Sequence, residues 1–244
     1  MEIISESCCR FSGNHSYPRS FPFYSYRRWI PEFEIDSGLN LFAALGKKPQ
    51  NLPVLPACAK CNQGFSLDEE YFACLIECAR TGSIERVERP KIRRILQDSP
   101  ALAARIMQAC TVAANGEIVF KTEIDRVRSV VLKLARGHAV YELDEQKPEE
   151  PSHVMFVPLH TLDTQAREHF ENPPTPSAWP EVGTRALQRV AISMAGTPAP
   201  LDSDWIDVQE GQYRYFAIAE DAVMVRFVVV EYLACEVIWG LDDD

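Results

Sequence analysis

The sequence predicts an α+β protein in which an irregular N-terminal region, a helical middle segment and a β-rich C-terminal region follow one another. Six prolines between positions 18 and 56 leave room only for short strands in the first region. Apolar residues recur at helical spacing from residue 66 onward, whereas Val, Tyr, Phe and Ile are concentrated between residues 211 and 239. We therefore divide the 244 residues into predicted domains 1–82, 83–150 and 151–244.

The first predicted helix begins at a capping box, in which the side chains of Ser66 and Glu69 bond reciprocally to each other's backbone N–H groups. Gly82 is expected to end this helix, because glycine adopts the left-handed conformation that closes many helices. The apolar face of the helix consists of Tyr71, Phe72, Leu75, Ile76 and Ala79.

Two further helices are predicted in the middle segment. Ser99 followed by Pro100 is typical of a helix start, and this helix is expected to reach about Ala114. The third is predicted over Glu123–Arg136, where apolar residues lie three or four positions apart, and Gly137 is expected to end it.

The C-terminal region has the composition of a sheet. The polar stretch Asp144–Ser152 contains two prolines and four acidic residues and is the predicted linker into this region. His153–Leu159 is predicted to be a strand, and Gly211–Trp239 is predicted to form further strands. The apolar run Phe227–Val230 indicates that one of them is fully buried.

Composition excludes several classes of protein. Hydrophobic residues make up 46% and charged residues 25% of the chain, which rules out wholesale disorder. We expect no membrane span, because no run of about 18 apolar residues exists. The N-terminus lacks the basic region and apolar stretch of a secretory signal. The eight cysteines are therefore expected to be reduced thiols of a cytoplasmic protein.

The net charge of −10 is unevenly distributed along the chain. Residues 1–79 carry a net −2, residues 80–136 a net +6 and residues 137–244 a net −14. A uniformly acidic protein would be repelled by phosphate, but a basic segment beside a near-neutral one does not exclude a nucleic-acid partner.

The CxxC pair formed by Cys58 and Cys61 has the spacing of metal ligands within a tight turn. It lies in a proline-rich loop rather than after a strand, which disfavours a thioredoxin-like redox site. The alternative is that both cysteines are ordinary loop residues that bind no metal ion. Asn51 precedes the pair and Asn62 follows it directly, and both residues are also common in ordinary turns.

This arrangement resembles the HNH endonuclease family, in which a short β-hairpin and a helix hold one metal ion against a scissile phosphate. The matching segments are GNHSYPRSFP (13–22), QNLP (50–53) and ACAKCNQGFSLDEEYF (57–72), and the resemblance covers about residues 8–80. It implies that the N-terminal region is a ββα-metal (HNH) module. More loosely, residues 121–141 and 179–190 are similar to segments that follow the nuclease motif in some bacterial HNH proteins.

The resemblance also implies a role for each matching residue. His15 would be the general base that removes a proton from the attacking water, and Asn51 would fix the His15 ring by a hydrogen bond. Asn62 and Asn14 would bind a catalytic divalent ion through amide oxygens, which favours Mg²⁺ or Mn²⁺.

Two departures from the family pattern leave alternatives open. An acidic ligand is usual where Asn14 stands, and a neutral amide binds a hard cation more weakly. The zinc-stabilised branch of the family also carries an upstream CxxC, whereas this chain offers only the adjacent Cys8 and Cys9 to complete a structural Zn²⁺ site with Cys58 and Cys61. A three-cysteine site completed by His15 would instead exclude this histidine from catalysis.

A basic cluster follows the first predicted helix. It is either a solvated helix face, a surface for the nucleic-acid phosphate backbone, or a partner for the acidic half of the same chain. Its members are Arg86, Arg89, Lys91, Arg93 and Arg94.

The leading hypothesis is therefore a metal-dependent endonuclease that hydrolyses DNA phosphodiester bonds, and the resemblance suggests bacterial defence against foreign DNA as its role. The alternative is a catalytically inactive zinc-knuckle module that binds nucleic acid or assembles with a protein partner. The remaining cysteines are predicted to be small buried residues: Cys74, Cys78, Cys110 and Cys235. The remaining histidines are predicted to be structural or solvated: His138, His153, His160 and His169.

Overall fold

The computed structural model describes residues 59–112, 118–172 and 205–240, which form a mixed helical and sheet structure. The helices are α1 (Ala59–Thr81), α2 (Pro90–Asp98), α3 (Pro100–Ala109), α4 (Ile124–Leu143) and α5 (Thr164–Glu171), with a 3₁₀ turn at Leu159–Thr161. The strands are β1 (Cys110–Val112), β2 (Ile118–Phe120), β3 (His153–Pro158), β4 (Ile206–Gln209), β5 (Tyr213–Ala219), β6 (Val223–Val229) and β7 (Leu233–Trp239). The α+β class is thus confirmed for the described residues.

The larger sheet is antiparallel throughout, with strand order β3-β7-β6-β5-β4, and β1 pairs with β2 in a separate two-stranded ribbon. Strands β4 to β7 follow one another along the chain and pair as neighbours, as short turns between them require. The β-structure predicted between Gly211 and Trp239 and the strand predicted from His153 are confirmed.

Successive side chains along each strand point to opposite faces of the sheet, and the two faces contact different parts of the protein. One face presents Tyr215, Phe227 and Val237 to a large core that also contains buried residues of α1, α2 and α4. The other face presents Phe216 and Val228 to a smaller cluster that includes residues of α5. The helices of the middle segment and the C-terminal strands therefore share one core.

The predicted linker Asp144–Ser152 connects elements of this shared core and is held along its length. Arg136 of α4 donates to the carbonyl of Lys147 over 2.8 Å, and Arg128 pairs with Glu150 at 2.5 Å. The indole of Trp239 donates to the carbonyl of Glu149 over 3.3 Å. The segment is irregular, as its composition predicted, but it is pinned to α4 and β7.

Two predicted helix ends are wrong, and in both cases the observed helix is longer than the predicted one. The capping box does not start α1, because the helix begins at Ala59, seven residues before Ser66. Gly137 does not end α4, which continues to Leu143 and closes at Asp144 with a φ of 58°. At α4, burial of the residues after Gly137, such as Ala139, outweighs the preference of glycine to end a helix.

The helix predicted from Pro100 is too long, whereas the predicted end of α1 at Gly82 is correct. Helix α3 starts at Pro100 as predicted but stops at Ala109, and Cys110–Val112 forms strand β1, whereas the helix was expected to reach about Ala114. The β-branched residues Thr111 and Val112 favour a strand at this point. Gly82 has a φ of 75° immediately after α1, as the helix-stop prediction requires.

Among the described helices, none combines the length and the apolar character that a membrane span needs.

Candidate metal centre and nucleic-acid interface

The predicted metal ligands are only partly covered by the structure. Cys61 and Asn62 lie in the first turn of α1. The donor set fits the proposed ions chemically, because paired thiolates suit zinc and amide oxygens suit a hard divalent cation. In residues 59–112, 118–172 and 205–240, no group of three or more His, Cys, Asp or Glu residues is placed to hold a metal. The other predicted site residues lie outside the described residues: Cys8, Cys9, Asn14, His15, Asn51 and Cys58.

The helix that carries Cys61 and Asn62 is firmly anchored two turns further on. Tyr71 and Phe72 are fully buried in the core, and the Tyr71 hydroxyl accepts a hydrogen bond from the backbone N–H of Glu123 over 3.1 Å. This packing fixes the axis of α1 against α4. Any chemistry at the first turn of α1 is therefore built on a rigid support.

Two acidic residues of α1 form ion pairs across to α4. The carboxylate of Asp68 lies 2.5 Å from the Arg126 guanidinium, and that of Glu69 lies 2.5 Å from the Lys133 ammonium. Burial raises the pKa of Glu69, although the hydrogen bond from Lys133 opposes this effect. The predicted helix start at Ser66 would place both residues in a first helical turn, but they lie inside α1 and join it to α4.

Several cations of the basic middle segment form such ion pairs. Arg105 lies 2.5 Å from Glu123, in addition to the pairs of Arg126, Arg128 and Lys133 already described. The net +6 of this segment is therefore not spread over its surface. Sequence reasoning missed these pairs because Asp68, Glu69 and Glu150 lie outside residues 80–136, and Glu123 lies 18 positions from Arg105.

The predicted basic cluster divides into outward and inward members. Arg86 and Lys91 are exposed, and neither forms an ion pair with any residue that the structure describes. Arg94 is 83% exposed and lies 3.5 Å from Asp98 one turn on, a surface contact of little energy. The guanidinium of Arg93 donates to the carbonyl of Val87 over 2.7 Å and is otherwise exposed. These four exposed cations lie within nine residues around the start of α2, and the exposed carboxylates of Glu85 and Glu88 lie beside and within the same stretch.

Arg89 points inward instead. Its side chain is only 14% exposed, and its guanidinium lies 3.4 Å from the buried carboxylate of Glu77. It also donates to the side-chain oxygen of Gln212, in the turn between β4 and β5. A phosphate backbone has little access to this residue, so its predicted contact with nucleic acid lacks support from the structure.

The acidic half of the chain was one predicted partner of the basic cluster. Within the described parts, the ion pairs of the cluster involve only Glu77 of α1 and Asp98 of α2. The acidic residues Glu171, Glu231 and Glu236 pair instead with arginines of the sheet itself.

A polar cluster that sequence reasoning did not identify lies between α4 and the sheet. His138 Nε2 is 2.6 Å from the Tyr213 hydroxyl, and its ring stacks on Tyr215 with centroids 3.9 Å apart. The Tyr215 hydroxyl donates to the Glu142 carboxylate over 2.5 Å. None of these side chains is more than 6% exposed, so the cluster binds α4 to the sheet rather than meeting a substrate.

Three of the four predicted structural cysteines are buried, as expected, whereas Cys110 is only partly buried. Desolvation raises the pKa of Cys74 and of Cys78 to about 12. At pH 8 a thiol of this pKa is ionised to the extent of only about 10⁻⁴, and the thiolate is the nucleophile.

We therefore expect iodoacetamide at pH 8 to modify Cys110 before Cys74, Cys78 and Cys235 in the folded protein. Alkylation of these three buried cysteines should accelerate on unfolding, and that of Cys74 and Cys78 should also accelerate as the pH approaches 12. Peptide mass spectrometry of timed samples measures this order. Modification of Cys74 as fast as that of Cys110 would contradict the burial of α1 in the core.

Comparison of the chain with protein-family models, with curated proteins and with solved structures gave no match.

Proposed function

We propose that this protein is a metal-dependent endonuclease of the HNH type that hydrolyses DNA phosphodiester bonds. The observation that carries the proposal is the block ACAKCN (57–62), whose last two residues occupy the first turn of the 23-residue helix α1. A ββα-metal module requires a helix at this point of the motif. The anchoring of α1 on α4 supports the proposal, because a metal ligand needs a rigid backbone.

In this proposal each polar residue has one task. His15, neutral at working pH, takes the proton from the attacking water, and Asn51 orients the imidazole ring. Asn14 and Asn62 hold a divalent cation, Mg²⁺ or Mn²⁺, which when bound stabilises negative charge on the phosphate and the leaving oxygen. Cys58 and Cys61 hold a structural Zn²⁺ that fixes the start of α1.

The exposed cations at the start of α2 would supply the contact with the DNA backbone. Four cations imply a limited footprint, so the logarithm of the binding constant should fall with the logarithm of salt concentration with a slope of about −3 to −4. Such binding is independent of base sequence, because phosphate contacts position a protein without reading bases.

Replacement of the proposed base gives the sharpest test of this chemistry. We expect His15→Ala to reduce cleavage of supercoiled plasmid in Mg²⁺ or Mn²⁺ by about 10²- to 10⁴-fold, because the attacking water loses its proton acceptor. His160→Ala is the matched control, since His160 is exposed on the 3₁₀ turn, and it should cut like the wild type. Equal cutting by His15→Ala and wild type would show that the proposed mechanism is wrong.

A second function is favoured by Asn14, which stands where the family usually has an acidic ligand. A chain with a weakened catalytic ion site would retain zinc and bind nucleic acid, or a protein partner, without cutting. This alternative predicts DNA retention and no cleavage with any divalent ion. Cleavage that disappears in His15→Ala would exclude it.

A further inference from the structure

The inward-facing Arg89 joins three parts of the structure at one corner. It contacts the Glu77 carboxylate, which is 1% exposed and also lies 3.1 Å from Arg80 near the end of α1. It donates to the side chain of Gln212 in the β4–β5 turn, and the backbone carbonyl of Gln212 in turn accepts from the N–H of Val230 over 2.7 Å. The guanidinium thus connects α1 with two turns at the same end of the sheet.

The position of Arg89 in the chain gives this connection its importance. Arg89 is the residue immediately before α2, whose first residue is Pro90. Its neighbours Val87 and Ile92 are buried, so the backbone is held on both sides of it. The outward cations Arg86, Lys91 and Arg94 lie within five residues of this fixed point. Lys91 and Arg94 belong to α2 itself, so the place at which Arg89 holds the start of α2 also determines where these two cations lie.

We propose that Arg89 is a positioning residue, which orders the start of α2 so that the outward cations form one preorganised surface for the phosphates of duplex DNA. A surface ordered before binding loses less conformational entropy when it binds. The amino-acid composition of this surface favours duplex DNA over single-stranded nucleic acid. Residues 83–98 contain no aromatic side chain, and single-stranded nucleic acid is held largely by stacking of its bases on aromatic rings. The inference rests on the proposed function in one respect, that the partner is a nucleic acid.

Gln212→Ala separates positioning from direct contact, because it removes a partner of Arg89 without changing any charge. Fluorescence anisotropy with a short labelled duplex, in magnesium-free buffer and at a temperature where circular dichroism shows a folded protein, measures the affinity. We expect Gln212→Ala to weaken binding by about three- to tenfold. Arg94→Gln is the control for direct contact, and it should reduce the magnitude of the salt slope by about 0.9 without changing the melting temperature.

Each outcome decides a different part of the inference. Wild-type affinity in Gln212→Ala, whatever its melting temperature, would overturn the positioning role while leaving the proposed function intact. Equal or tighter binding of a labelled single strand by the wild-type protein would overturn the assignment to duplex DNA. Failure of the wild type to bind either probe would overturn the nucleic-acid partner, and with it the proposed function. Faster hydrogen exchange of the first amides of α2 in Gln212→Ala is the structural result that must accompany weaker binding.

Discussion

Arg226→Ala is expected to lower the free energy of unfolding by about 3–5 kcal/mol, because it leaves a largely buried carboxylate without its partner. Arg226 lies in the middle of strand β6, and its side chain is 0% exposed. Its guanidinium lies 2.5 Å from the carboxylate of Glu236, its direct neighbour on β7, and also donates to the carbonyls of His169 and Phe170 near the end of α5. One side chain therefore joins two strands and caps a helix.

Chemical denaturation of wild type and variant, with matched slopes, measures this loss. Arg94→Ala is the control, because that arginine is 83% exposed, and its free energy of unfolding should change by no more than about 0.5 kcal/mol. The variant Arg226→Met with Glu236→Leu should recover much of the loss, since it removes both buried charges. A loss below about 1 kcal/mol in Arg226→Ala would contradict the burial of this ion pair.

Glu77→Ala is expected to lower the free energy of unfolding by about 3 kcal/mol. Glu77 is 1% exposed and is the carboxylate that Arg80 and Arg89 share. Its removal leaves the guanidinium of Arg89, only 14% exposed, without a counter-charge.

Glu88→Ala is the matched control for Glu77→Ala, because both carboxylates contact Arg80. Glu88 lies 2.9 Å from Arg80 but is 73% exposed, so solvent screens the pair and its loss should cost less than about 1 kcal/mol. Equilibrium denaturation of the two variants under identical conditions gives the comparison. Equal losses in Glu77→Ala and Glu88→Ala would show that the interior location of Glu77 is wrong.

Patterns that depend on neighbouring residues predicted much of the fold. The apolar run Phe227–Val230 lies in a buried part of β6 and its turn, and Gly82 adopts the positive φ that ends α1. In both places the local preference and the tertiary packing agree. At Gly137 they disagree, and burial of the residues that follow carries α4 past the glycine.

The candidate site was less predictable, for two physical reasons. Charge clusters in the sequence do not distinguish exposed cations from buried ones, and only the fold reveals that Arg89 turns inward while Lys91 faces solvent. Ion pairs such as Lys133 with Glu69 join residues 64 positions apart, a separation that no helical or strand period encodes. The proposed roles of Asn14 and His15 remain predictions from the motif, because both residues lie outside the described parts of the chain.

The zinc content of the purified protein tests most directly whether the CxxC pair at the start of α1 is a metal centre. We expect about one zinc ion per chain in the wild type and in Cys110→Ser, and a loss of most of it in Cys58→Ser. Inductively coupled plasma mass spectrometry on the full chain, purified without chelators, provides the measurement. A wild-type protein without zinc, or a Cys58→Ser variant that retains the wild-type amount, would contradict the zinc-stabilised HNH assignment.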